Sequence, residues 1–128
     1  MFSWLRKDTP PRTGPDFRSI DSLAKAQELA RAGKLQQMLL LPLEFGGTDI
    51  PQNSVFVPLW AAEKKVETDT NIVQPLAAEG KVSTYSATPQ YQGKSFVPIA
   101  IEIQASNPGS FSARIAIWGD ALEGNGNA

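Results

Sequence analysis

The sequence predicts an α+β fold, with an antiparallel sheet and helices packed on one side, between a flexible N-terminal arm and a C-terminal tail. Two stretches carry apolar residues at helical spacing, and the C-terminal third alternates apolar and polar residues at period two. Both ends lack either pattern. At 128 residues the chain fits one domain. The expected divisions are an arm over residues 1–18, the domain over 19–118 and a disordered tail over 119–128.

Pro10, Pro11, Gly14 and Pro15 offer few backbone donors and restrict φ, which marks the arm as extended. A helix follows. Ser19 and Asp21 are its candidate N-caps, Leu23, Ala26, Leu29 and Ala30 its apolar stripe, and Arg31 and Gly33 suit its last turn and C′ position. Leucine-rich residues 35–43, stopped by Pro42, read as a buried strand. Gly46-Gly47 allows positive φ or a close backbone approach, and Pro51 holds Ile50 extended. Ser54-Val55-Phe56-Val57 is the next short strand.

Pro58 suits the first turn of a second helix, in which Leu59, Ala62, Val66, Val73 and Leu76 form one apolar side up to Gly80. Pro75 cannot donate to Asn71, so a kink or break is expected near residues 69–71. Residues 81–88 suit a strand. Val97, Ile99, Ile101, Ile103 and Ala105 alternate with polar or outward positions, and Phe111, Ala113, Ile115 and Ile117 do so again after Asn107-Pro108-Gly109. This predicts an antiparallel hairpin, with Pro98 placing its strand at an edge.

Composition closes much chemistry. There is no histidine and no cysteine, which removes disulfides, thiolate sites, thiol nucleophiles and the side chain that titrates near neutral pH. Net charge is −1, so nothing attracts a polyanion globally. The first 34 residues hold seven Lys/Arg and four Asp/Glu, leaving the remainder net acidic. The start, Met1-Phe2-Ser3-Trp4-Leu5-Arg6-Lys7, runs apolar then basic, the reverse of a secretory signal, and no run suits a transmembrane segment. A cytoplasmic protein is expected. Phe2, Trp4 and Leu5 are expected to pack back on the domain rather than on a membrane.

Phe45-Gly46-Gly47, Asn53-Ser54-Val55-Phe56-Val57-Pro58, the helix to Gly80, and the run from Lys81 through Pro89-Gln90-Tyr91-Gln92-Gly93 to Phe96-Val97-Pro98 occur in a suggestive order. This order resembles the DNA/RNA non-specific endonucleases of bacterial polymorphic toxins, a branch of the ββα-metal nucleases. The similarity spans residues 40–117, in short and permissive pieces. That family places a histidine before the Gly-Gly turn as general base and a metal-holding asparagine in the following helix. Leu41-Pro42-Leu43-Glu44 and Leu59-Trp60-Ala61-Ala62-Glu63 supply neither. The resemblance therefore implies a non-catalytic relative.

The remaining candidates are weaker. Glu44 could act as base with Asp49 and Glu63 holding a hard cation, although an ordinary carboxylate is a poor base at neutral pH. As plain structure, Glu44 and Asp49 are exposed turn residues, while Gly46, Gly47 and Asn53 shape the turn. Glu63-Lys64-Lys65-Val66-Glu67 could offer Lys64 to a phosphate, but reads first as a solvated helix face. Tyr85, Tyr91 and Phe96 with Lys81 and Lys94 could stack single-stranded nucleic acid, against which stands the acidic balance of that half. Trp60 and Trp118 suit core or interface anchors.

The expectation is a non-catalytic protein-binding module, an immunity or accessory protein of a bacterial toxin system, with another protein as partner. No cofactor or metal and no strong nucleic-acid signal are expected. Two alternatives stand beside it: a divergent metal-dependent nuclease using Glu44, Asp49 and Glu63, and a structural protein self-associating along the edge near Pro98.

Overall fold

A computed structural model describes residues 16–122. The expected arm and tail lie outside the described residues except at their inner ends. The first helix, α1 (Leu23–Arg31), is capped by neither expected residue. Ser22 is the N-cap, and its Oγ accepts from the Lys25 amide at 3.2 Å. Asp21 instead binds the Lys25 ammonium at 2.8 Å, which lowers its pKa. An N-cap oxygen must meet an amide two or three residues ahead, and Ser22 stands at that spacing. Gly33, at φ +80°, ends the helix.

Strands β1 (Gln36–Leu39) and β2 (Ser54–Val57) form an antiparallel pair, Gln36 opposite Val57 and Leu39 opposite Ser54. The strand expected over residues 35–43 is thus shorter. Pro42 follows, with no amide to give a ladder, and Leu43–Phe45 close a 3-10 turn that ends at Gly46 in the left-handed region. The helix after Pro58 is α2 (Leu59–Thr68), then a π turn (Asp69–Val73), then α3 (Gln74–Ala78). The expected break is this π turn. Gln74 donates to the Asp69 carbonyl five residues back, and the wider ring takes the chain past Pro75.

A second sheet holds β3 (Thr84–Gln90), β4 (Ala100–Ser106) and β5 (Ser110–Ala116) in that order, all antiparallel. The fold is α+β, with two sheets where one was expected. The β4–β5 hairpin turns through Asn107, Pro108 and Gly109 and opposes Ile101 to Ile115 and Ile103 to Ala113. The edge assignment of Pro98 does not hold: β4 is central and starts at Ala100, and Pro98 is fully buried before it. The proline on an edge strand is Pro89, in β3.

α2 packs on β1 and β5, and α1 on β2, around one core that includes Val57, Ala61, Ile101, Ile103 and Ile117. Trp118 is buried in it, donating from Nε1 to the Val97 carbonyl at 3.0 Å. Phe17 meets it edge-on, so the inner end of the expected arm belongs to the domain. Residues 119–122, expected in the tail, pack on the domain. Ala121 is buried, and the Asp120 amide donates to Gln92. Among the described residues no helix is long and apolar enough to cross a membrane.

Candidate functional site

The second helix is turned differently from its apolar stripe. Ala62 and Val73 are buried as the spacing predicts, but Leu59 and Val66 are 55% and 60% exposed. The buried side is completed by Ala61, Lys65 and Thr68. The solvated face expected over residues 63–67 therefore fails at Lys65, which is 1% exposed.

Lys65 is held by a closed polar network. Its Nζ donates to Asp69 Oδ2 at 2.6 Å and to the Tyr85 hydroxyl at 2.9 Å, while Tyr85 donates to Asp69 Oδ1 at 2.8 Å. Asp69 sits one helical turn beyond Lys65, at the start of the π turn, and Tyr85 comes from β3. Phe45 covers the Tyr85 ring at 5.0 Å between centroids. Burial pushes the Lys65 pKa down, opposed by the hydrogen bond and charge of Asp69 and by the charge of Glu44. Burial, then the same Asp69, pushes the Tyr85 hydroxyl up. Each member finds partners inside the network, which suits a lock between helix and sheet better than an activated amine.

Outside this lock, α2 borders a shallow, open groove. One hollow of about 460 Å³ lies between Gln36 and the Leu59, Glu63, Val66 and Glu67 side. A second, of about 230 Å³, adjoins it through Val66 and Thr70 and continues past Leu43 and Glu44, with Lys65 and Asp69 in its lining. A separate cleft of about 460 Å³ is lined by Leu23, Ile50, Tyr91 and Phe96.

The turn between β1 and β2 is stitched by Asn53. Its Oδ1 accepts from the Leu41 amide at 2.8 Å, and its Nδ2 donates to the carbonyls of Leu41 and Thr48, both at 2.9 Å. Gly47 lies against Leu41, where a Cβ would stand 1.8 Å from the Leu41 carbonyl oxygen. Gly46 has φ +96°.

Glu44, Asp49 and Glu63 are not brought together. Glu63 and Glu44 line different hollows of the groove beside α2 and Asp49 lines the separate cleft, and among the described residues no three acidic side chains gather as a metal site would need. The aromatic platform is also divided, since Tyr85 is held in the network whereas Tyr91 and Phe96 line the separate cleft. Lys81 pairs with Glu79 at 3.1 Å. Sequence reasoning missed Lys65, Asp69 and Tyr85 as a unit. Its usable signal was the i, i+4 spacing of Lys65 and Asp69 beside the buried Ala61 and Ala62. Comparison with known protein families, curated protein sequences and solved structures gives no match for this chain.

Proposed function

We propose that this protein works by binding another protein and performs no reaction of its own. One observation carries the reading. Nine large apolar side chains are exposed among the described residues, and seven of them line hollows: Leu23, Ile50, Tyr91 and Phe96 one cleft, and Leu43, Leu59 and Val66 the groove beside α2. Apolar groups gathered in concave surface mark contact sites. The carboxylates that a nuclease reading needs are dispersed, and the buried amine is already paired. An immunity or accessory role in a bacterial toxin system is the version we favour, motivated by the resemblance around residues 41–58.

Two measurements test it. Purified protein incubated with plasmid DNA and RNA in Mg²⁺ and in Mn²⁺ is expected to leave both intact, and cleavage lost in Glu44→Gln would overturn the non-catalytic reading. A pull-down against the products of neighbouring genes is expected to yield a stoichiometric partner; recovering none counts against binding as the function.

A further inference from the structure

We infer that the groove beside α2 docks a basic, apolar-anchored helical segment of a partner protein. The inference rests on the protein-binding reading and adds the place and the chemistry of the partner. Its first ground is the orientation of α2. Leu59 and Val66 belong to a regular apolar stripe, yet the fold spends the buried side of the helix on Lys65 and Asp69 and leaves these two outside. Leu43, 63% exposed, extends the same surface across the groove. Such a stripe is what helix-in-groove recognition uses.

The second ground is charge. Glu63 and Glu67 stand one turn apart along the groove, and Glu44 lies at its far end. Among the described residues none of the three forms an ion pair, and the one cation lining the groove, Lys65, is committed to Asp69. The groove thus offers apolar anchors between carboxylates that form no ion pair among the described residues, which selects lysine or arginine around leucine-like side chains and repels acidic segments. The cleft of Leu23, Ile50, Tyr91 and Phe96 has Asp49 as its one acidic lining residue and lacks this bias. From Leu59 to Thr70 the groove wall runs about 17 Å at 1.5 Å per residue, room for about three turns of a partner helix.

The probe is a labelled helical peptide with leucine at i, i+4, i+7 and i+11 and lysine elsewhere, against a twin with glutamate for lysine. Fluorescence anisotropy with the full chain is expected to show binding of the lysine peptide, weakening with salt, and none of the glutamate twin. Glu63→Lys/Glu67→Lys should weaken it by ~10-fold or more, and Leu59→Ser/Val66→Ser should abolish it, with unchanged circular dichroism. Ile50→Ser/Phe96→Ser should leave it intact. Equal binding of the twin, or no binding of either, overturns the inference while leaving the protein-binding reading to its own pull-down. Loss confined to Ile50→Ser/Phe96→Ser moves the contact to the other cleft and also overturns it. Light scattering that shows a dimer dissolved by Leu59→Ser/Val66→Ser would put a second copy in the groove and overturn it as well.

Discussion

Lys65 donates to Asp69 across one helical turn at 2.6 Å with both side chains buried, and Lys65 lies on the same buried side of α2 as Ala61 and Ala62. A buried ion pair gains little over apolar packing, but removing one partner strands the other charge. Lys65→Met is therefore expected to destabilise the protein by ~3–5 kcal/mol, because the buried Asp69 carboxylate loses its counter-charge and keeps only the Tyr85 hydrogen bond. Lys65→Met/Asp69→Leu should recover much of that loss. Urea denaturation midpoints of the single and double variants check this, and a single variant as stable as the parent would refute the burial argument.

Tyr85 should govern stability on the alkaline side. Its pKa is raised above 10.0 in the folded state, chiefly by burial and then by Asp69. Above that pH the unfolded chain loses a proton that the folded chain keeps, so stability is full below 10.0 and falls as pH rises beyond it. Lys65 acts the other way: its folded pKa lies below 10.5, so stability gains as pH climbs toward that value. Tyr85→Phe should reduce the alkaline fall to the part that the Tyr91 hydroxyl, also raised by burial, contributes, although it weakens the fold at neutral pH. Denaturation against pH reads both effects, and an unchanged alkaline slope in the variant would contradict the assignment.

The β1–β2 turn should be intolerant at two positions. Asn53→Ala leaves the Leu41 amide and carbonyl without their side-chain partners, at a cost of ~1–3 kcal/mol for each group left buried and unsatisfied. Gly47→Ala must move the turn away from the Leu41 carbonyl and should cost ~1–3 kcal/mol. Thermal unfolding of each variant measures this, with hydrogen exchange at the Leu41 amide expected to accelerate in Asn53→Ala.

Exposure and hydrophobicity should part company on α2. Leu59→Ser and Val66→Ser, at exposed positions, are expected to change stability by no more than ~0.5 kcal/mol each. Ile103→Ala, in the centre of β4 and fully buried, should cost ~2–5 kcal/mol. A large loss on serine at Leu59 or Val66 would mean that these side chains are covered.

Local pattern carried the secondary structure well. Period-two alternation through Ile101, Ile103 and Ala105 marks β4, and Pro75 marks the break realised as the π turn, because both signals act within a few residues. Boundaries were less legible. Ser22, Asp21 and Ser19 are all good caps by type, and only the chain path decides which oxygen meets the Lys25 amide. The exposed groove was not legible, since a helical stripe says which residues share a side and nothing about which side is covered.

From the residues alone came an α+β chain, an antiparallel hairpin through Asn107-Pro108-Gly109, and the absence of histidine and cysteine chemistry. Tertiary structure alone divided the strands between two sheets, buried Pro98, and turned α2 so that Lys65 faces inward. The physical reason is range. Lys65 finds Tyr85 twenty residues along the chain, and Asp69 completes the pairing only where helix and sheet meet. The fold buries that polar match and leaves Leu59 and Val66 outside on the groove.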